Sequence, residues 1–523
     1  MTVVPEFRVT GTTPSGAGQA CFGVQFNQTV YAKTAAGTPP VYPQLDLEAK
    51  VKELAPQFVR VMFDPSEELG DAAVPVARAA LNALSADPTT YLGSFRRVLQ
   101  LAQEIPAVTI NITAASVDRY LQDPDAGMQE FANVLEWLVD DCGIGGLRWV
   151  TLQNEPNSTR YVTPPVLNQM YTLLDRYLTQ QQIRSQIQFM CGDLLNMPNT
   201  AETPPPSVLP ALAGVALEPV DCGDPNAAAV WENPEYEASR QFWSGTYVGG
   251  TRVAGQKGTH TAEEYWFQYM QAQMKSTLLD AFSIHAYWSL GEGPPVGRLK
   301  KVREVVGEKR AFVMEYGVNN PVPPLASQSA AFEHAWFQIL AAQNGYAGTA
   351  KWECYFGPQN GGPFWAIGDP GDGSTWPLYP KYYVLWLFTH ATRAGWRTVE
   401  VEPNPANPPA SAKLVAGFAP EQGPGLSILG LCTSALDPAG GGWAPGQAPT
   451  QTYSIATGLP QGVTSLNLLV WNLDGLGGLD RELPNVGGGR TGFTFSEGVA
   501  EFTVPSRSVF ALTTLPLTLP PQA

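Results

Sequence analysis

Between Cys21 and Cys354, short β-type runs alternate with amphipathic helical runs, and this alternation limits the chain to very few folds. The predicted strands are Cys21–Phe26, Phe58–Phe63, Ala107–Thr113, Leu147–Gln153, Ile187–Cys191, Ala281–His285, Ala311–Met314 and Thr349–Cys354. Predicted helices fall between them at Leu45–Pro56, Met128–Cys142, Pro164–Gln182, Thr261–Leu278, Val296–Val306 and Ser327–Asn344, with Tyr379–Thr392 after the last strand. In Met128–Cys142 the residues Phe131, Val134, Leu135 and Leu138 recur at helical spacing, which gives one buried stripe. Strands that alternate with helices form a parallel sheet closed by crossovers, and eight such units form a (β/α)8 TIM barrel of class α/β.

From about Thr398 the texture changes. Short β-type runs separated by Gly and Pro turns follow one another without helices: Lys413–Phe418, Leu426–Leu431, Gln451–Ala456, Ser465–Trp471, Thr491–Phe495, Val499–Val504 and Ser508–Thr513. That pattern predicts an accessory C-terminal β-sandwich. The expected division is a catalytic barrel over 16–394 and a sandwich over 395–523. Residues 1–15 form a separate segment in which Phe7–Thr10 is a candidate for an extra sandwich strand. The Asp-rich turns at Asp369–Asp372 and Asp474–Asp480 do not match a calcium loop and are read as surface turns.

A TIM barrel keeps its chemistry at the C-terminal ends of its strands. Two strings stand there, Leu152-Gln153-Asn154-Glu155-Pro156-Asn157 closing strand four and Val313-Met314-Glu315-Tyr316-Gly317 closing strand seven. Paired glutamates delivered by separate strand ends to one cleft are the working parts of a glycosidase. The longest strand-end loop, an insertion at about 194–260, carries Trp231, Tyr236, Phe242, Trp243 and Tyr247; Trp365 and Trp376 follow strand eight. One or two of these aromatics are expected to line the cleft.

The formal charge of −16 argues against nucleic acid or an anionic membrane as partner, whereas a neutral carbohydrate is compatible with it. No apolar run is long enough to span a bilayer. The start, Met1 to Arg8, has neither the basic residues nor the apolar stretch of a secretory signal, so the expected location is cytoplasmic, or secreted with the signal absent from this chain. Six cysteines are scattered without a CxxC pair or zinc spacing; most are expected to be buried thiols, with Cys191 and Cys222 left open as a disulfide. No metal or organic cofactor is expected.

Taken together, Asn154-Glu155-Pro156 at the end of strand four, Glu315 ending strand seven, Arg60 in strand two, His285 and Tyr287 around the end of strand six and Trp352 in strand eight resemble the retaining glycoside hydrolases of clan A. Tyr379-Pro380-Lys381-Tyr382-Tyr383 ahead of a β-domain is similar to the layout of family 39 and its neighbours, families 30, 51 and 5. The resemblance implies that Glu155 is the acid/base, Glu315 the nucleophile and Asn154 a ligand of the sugar 2-hydroxyl. Arg60 and Tyr287 are expected beside Glu315, His285 against a sugar hydroxyl or the acid/base, and Trp352 under a sugar ring. The implied activity is a retaining β-glycosidase. A transglycosylase using the same glutamates and a catalytically silent sugar-binding protein are the alternatives.

Overall fold

The computed structural model describes residues 4–12, 21–33, 44–121, 123–156, 164–194, 247–248, 251–252, 278–288, 290, 293–318, 328–355, 365–368, 375–410, 412–433, 450–460, 463, 465–472, 485–486, 493–505 and 508–516. Eight parallel strands close a barrel in chain order: Phe22–Phe26, Phe58–Phe63, Thr109–Ala114, Leu147–Thr151, Gln188–Leu194, Ala281–Trp288, Arg310–Val318 and Gly348–Lys351. These are called strands one to eight. Strand eight pairs with strand one and strand six with strand seven, so the sheet has no edge.

Strand two shows how the sequence produces two faces. Val59, Val61 and Phe63 join the large core between barrel and helices, while Phe58 and Arg60 face the barrel interior. The interior is layered. Phe58, Trp149, Met190, Phe312 and Met314 plug its N-terminal end, and Gln25, Arg60 and Asn111 form one register row above them.

Helices Gln44–Leu54, Pro124–Glu136, Pro164–Gln180, Val296–Val306, Gln328–Gln343 and Pro380–Ala391 lie within a few residues of the expected ones. Helix Tyr91–Gln103, between strands two and three, was not among those expected. Thr90 caps it by accepting from Gly93 N at 3.0 Å, and Phe95, Val98, Leu99 and Ala102 bury its inner face. The expected helix Thr261–Leu278, apart from Leu278, lies outside the described residues. So does the 194–260 insertion, apart from Leu194 and the hairpin Tyr247–Val248 with Thr251–Arg252.

The C-terminal strands belong to one ten-stranded sheet that also takes in Phe7–Thr12 and an additional strand, Arg397–Pro403. Tyr453 and Phe502 come from one end of the pairing order, yet they meet Phe510 from the other end at 4.7 and 4.9 Å between ring centroids. The sheet therefore curls face to face into a sandwich around Phe7, Ile428, Ile455, Leu468 and Leu512. Gln343 Nε2, from the helix before strand eight, donates to Val415 O at 2.9 Å, and Ser427 Oγ donates to Ala391 O. These contacts, together with Phe22 against Phe418 at 5.5 Å, join sandwich to barrel.

Candidate active site

Arg60 organises the C-terminal mouth of the barrel. Its side chain is completely buried, and its in-plane N–H groups fan out to five acceptors on five strands or strand ends. Nε donates to Thr113 Oγ1 at 3.0 Å, and Nη2 donates to Asn154 Oδ1 and Asp193 Oδ2, both at 2.7 Å. Nη1 donates to Gln25 Oε1 and Glu315 Oε1. Thr113 in turn donates to Asn111 Oδ1 at 2.7 Å, which ties the arginine to Asn111, its register partner on strand three. Burial opposes the guanidinium charge, but Asp193 and Glu315 outweigh it and hold Arg60 above its ordinary range.

Glu315 owes its inward position to an irregular strand. Phe312 and Met314 face the plug and Val313 the outer core, so strict alternation would turn Glu315 outward toward the helices. The register with strand six shifts between Val313 and Glu315, and the register with strand eight shifts between Val313 and Tyr316. This bulge brings Glu315 inward and leaves Tyr316 stacked on Phe337 in the outer core at 4.9 Å. The strand also continues to Val318, so Glu315 lies within it and does not close it as expected. Tyr287 OH donates to Glu315 Oε2 at 2.6 Å. Burial pushes the Glu315 carboxyl up, and the His285 and Arg60 charges pull against that push.

A second bulge carries Asp193. Register between strands five and six shifts between Cys191 and Leu194, Gly192 has φ +125°, and a Cβ there would stand 2.2 Å from Ser283 O. Only glycine fits, and Asp193 follows in the left-handed region at φ 51°. Ser283 holds it from both sides: Oγ donates to Asp193 Oδ1 at 2.5 Å and accepts from Asp193 N at 2.9 Å. Burial raises the Asp193 carboxyl, but Arg60, His285 and Ser283 bring it down to about 2.

Glu155 sits four residues past the end of strand four, in the left-handed region at φ 45°. At 22% side-chain exposure it is the open member of a pair in which Glu315 is at 4%. His285 stands between them, with Nδ1 3.0 Å from Glu155 Oε1 and 3.3 Å from Glu315 Oε2. Nε2 is 3.8 Å from Asp193 Oδ2, too long for a hydrogen bond. Burial disfavours the imidazolium, yet Glu315, Asp193 and Glu155 overcome it and push His285 up to about 9. Arg298 fixes the strand beneath by donating to His285 O and, at 3.0 Å, to Leu194 O.

The structure thus brings Arg60, Asn154, Glu155, His285, Tyr287 and Glu315 together. Trp352 stands at the same rim, half-buried, one residue past the end of strand eight and not within the strand as expected, and none of these hydrogen bonds involves its ring. Of the loop aromatics, Trp376 is fully buried and held through its backbone by Asp46 and Lys50, so it packs in the core. Trp365 is only 7% exposed, and Trp231, Tyr236, Phe242 and Trp243 lie outside the described residues. Cys191 is a buried free thiol; Cys222 is not described. Gln25, Thr113, Asp193 and Ser283 were not anticipated, and the Gly192-Asp193 pair at the end of an apolar run was the available signal.

Glu155, His285 and Glu315 each offer an atom within 4.8 Å of the others, close enough to crowd a cation. A guanidinium and an imidazolium compensate the carboxylates, an arrangement suited to proton transfer and nucleophilic chemistry. No helix among the described residues is long and apolar enough to cross a membrane.

No family model matches the chain, and no curated protein matches its sequence. Solved structures do match in fold. An endo-β1,6-glucanase superposes with a TM-score of 0.58 at 10% identity, covering 99% of this chain and 94% of its own. The glycoside hydrolase family 51 α-L-arabinofuranosidase of Thermotoga petrophila gives 0.56 at 10% identity, covering 98% and 100%. The family 30 endoxylanase of Clostridium papyrosolvens gives 0.53 at 11% identity, covering 97% and 99%. The barrel with its C-terminal β-domain is therefore an arrangement shared with glycoside hydrolases of families 30 and 51.

Proposed function

We propose that the protein is a retaining β-glycosidase that hydrolyses the O-glycosidic bond of a neutral carbohydrate by double displacement. The observation that carries the reading is the pairing of Glu155 with Glu315, whose nearest oxygens lie within 4.8 Å of each other with His285 between them. Retaining enzymes hold their carboxyl groups about 5–5.5 Å apart; inverting enzymes need about 6.5–9.5 Å to admit a water. The shared fold with xylanase, glucanase and arabinofuranosidase structures adds support.

In the first half-reaction Glu315 attacks the anomeric carbon while Glu155 gives its proton to the departing oxygen. The glycosidic C–O bond breaks as the glycosyl ester forms. Arg60, Tyr287 and His285 favour the ionised form of Glu315 against its burial, and Arg60 and Tyr287 between them leave a fixed geometry for in-line attack. Glu155, more open than its partner, faces the leaving group and the water that replaces it. In the second half-reaction Glu155 takes a proton from that water, which attacks the anomeric carbon and expels Glu315. Asn154, oriented by Arg60, is the ligand for the sugar 2-hydroxyl, and Trp352 is the platform for a sugar ring.

After a panel of aryl β-glycosides has identified a substrate, its 2-deoxy-2-fluoro analogue with a dinitrophenolate leaving group tests the reading. Mass spectrometry should find one glycosyl group added per chain, on the peptide that contains Glu315. Turnover of the parent glycoside with no adduct on Glu315 would overturn the assignment.

A further inference from the structure

The opposite, N-terminal mouth of the barrel holds a cavity of about 400 Å³, within the ~300–1,000 Å³ of ordinary small-molecule sites. Its floor is the apolar plug that includes Phe58, Trp149 and Phe312. Its walls are polar. Thr109, Gln186 and Gln188 line it at the starts of strands three and five, with Arg148 from strand four and Arg310 from strand seven.

Two features set this basin apart from an ordinary barrel base. In a chain of net charge −16, none of the described lining residues is Asp or Glu, while two are arginines. Arg310 also comes from the far side of the barrel and lays its guanidinium over the Trp149 ring, 5.8 Å from the centroid. A cation–π contact occupies no oxygen acceptor, so the N–H groups of the guanidinium remain able to donate. Arg310 makes no ion pair among the described residues. Arg148 is exposed, and its one described hydrogen bond, Nη1 to Gln186 O at 3.2 Å, leaves further donors on the same basin. A guanidinium held over an aromatic ring, with a second lining the same basin, suits a tetrahedral oxyanion, and the polar walls suit a hydroxylated body attached to it.

We infer that this basin binds the phosphate group of a small polar molecule, at a site separate from the catalytic pair and independent of the glycosidase reading. Binding there neither requires nor blocks Glu155 and Glu315, which open at the other end of the barrel.

Titration calorimetry in a phosphate-free buffer tests it, with inorganic phosphate, a hexose monophosphate and the unphosphorylated hexose as probes. The phosphorylated probes should bind at one site per chain, with no comparable binding by the hexose. Tighter binding of the hexose monophosphate identifies a phosphorylated sugar as the ligand, and equal binding identifies free phosphate. Arg310→Gln should weaken binding about tenfold or more, from the loss of a charged hydrogen bond. Arg148→Gln, at an exposed position that tolerates substitution, provides the same test should Arg310→Gln fail to fold. No binding of either phosphorylated probe, or binding unchanged in the folded variants, would overturn the inference.

Discussion

Glu315 and His285 are register partners on adjacent strands, with 3.3 Å between Oε2 and Nδ1. The pairing makes each residue a determinant of the other's charge. The carboxylate helps keep the imidazole protonated to about 9, and the imidazolium opposes the rise that burial imposes on the carboxyl. In the proposed mechanism the nucleophile must be ionised, and His285 favours that form of Glu315 by supplying positive charge in a place water does not reach.

The first prediction concerns pH. His285 has a folded value of about 9 against an ordinary value of 6.5, so its contribution to stability is complete below pH 6.5 and is lost as pH rises through 9. The stability of the wild type in urea should fall relative to that of His285→Gln between pH 6.5 and 9, by a contribution on the order of 3 kcal/mol or less. Parallel curves for the two proteins would show that His285 is neutral in the folded state.

Asp193 predicts the opposite limb. Its carboxyl is lowered from 3.8 to about 2, so the stability it contributes is present above pH 3.8 and lost as pH falls toward 2. Asp193→Asn should remove that part of the acid limb. It should also cost about 3–5 kcal/mol near neutrality, because Arg60 loses a buried partner at 2.7 Å. Chemical denaturation of the two proteins across the acid range checks both.

Gly192→Ala tests the bulge. With φ +125° and 2.2 Å from the new Cβ to Ser283 O, the substitution should cost at least about 2 kcal/mol and displace Asp193 from Arg60. The melting temperature should drop and kcat should fall without any change to a catalytic side chain. A neutral result would mean that the strand-five bulge is not needed to build the site.

Glu155→Gln should cripple turnover of glycosides with poor leaving groups, while a dinitrophenyl glycoside should still glycosylate Glu315. Stopped-flow absorbance should then show a burst of dinitrophenol followed by slow turnover, with a lowered KM as the intermediate accumulates. A wild-type-like dependence on leaving-group pKa would assign the acid role to another residue.

What the sequence revealed depended on how regular each strand is. Strand two keeps an unshifted register with both neighbours, and Arg60 was legible there through the resemblance. Glu155 and Glu315 were legible from their strings, but the geometry around them was not. Glu315 faces inward only because of a register shift, and Asp193 only because Gly192 breaks strand five, and alternation cannot anticipate a bulge. Gln25, Thr113 and Ser283 read locally as ordinary strand residues; their roles arise from neighbours that are remote in sequence. The ten-stranded sheet was legible as short strands, whereas its curl depends on Tyr453 and Phe502 meeting Phe510.

The central claim is that Glu155 and Glu315 act as a close pair through a covalent intermediate, and the configuration of the first product tests it most directly. Proton NMR of early hydrolysis, before mutarotation, should show a product with the anomeric configuration of its β-glycoside substrate. An initial α-anomer would require water to attack directly between the two carboxylates, and would contradict the account.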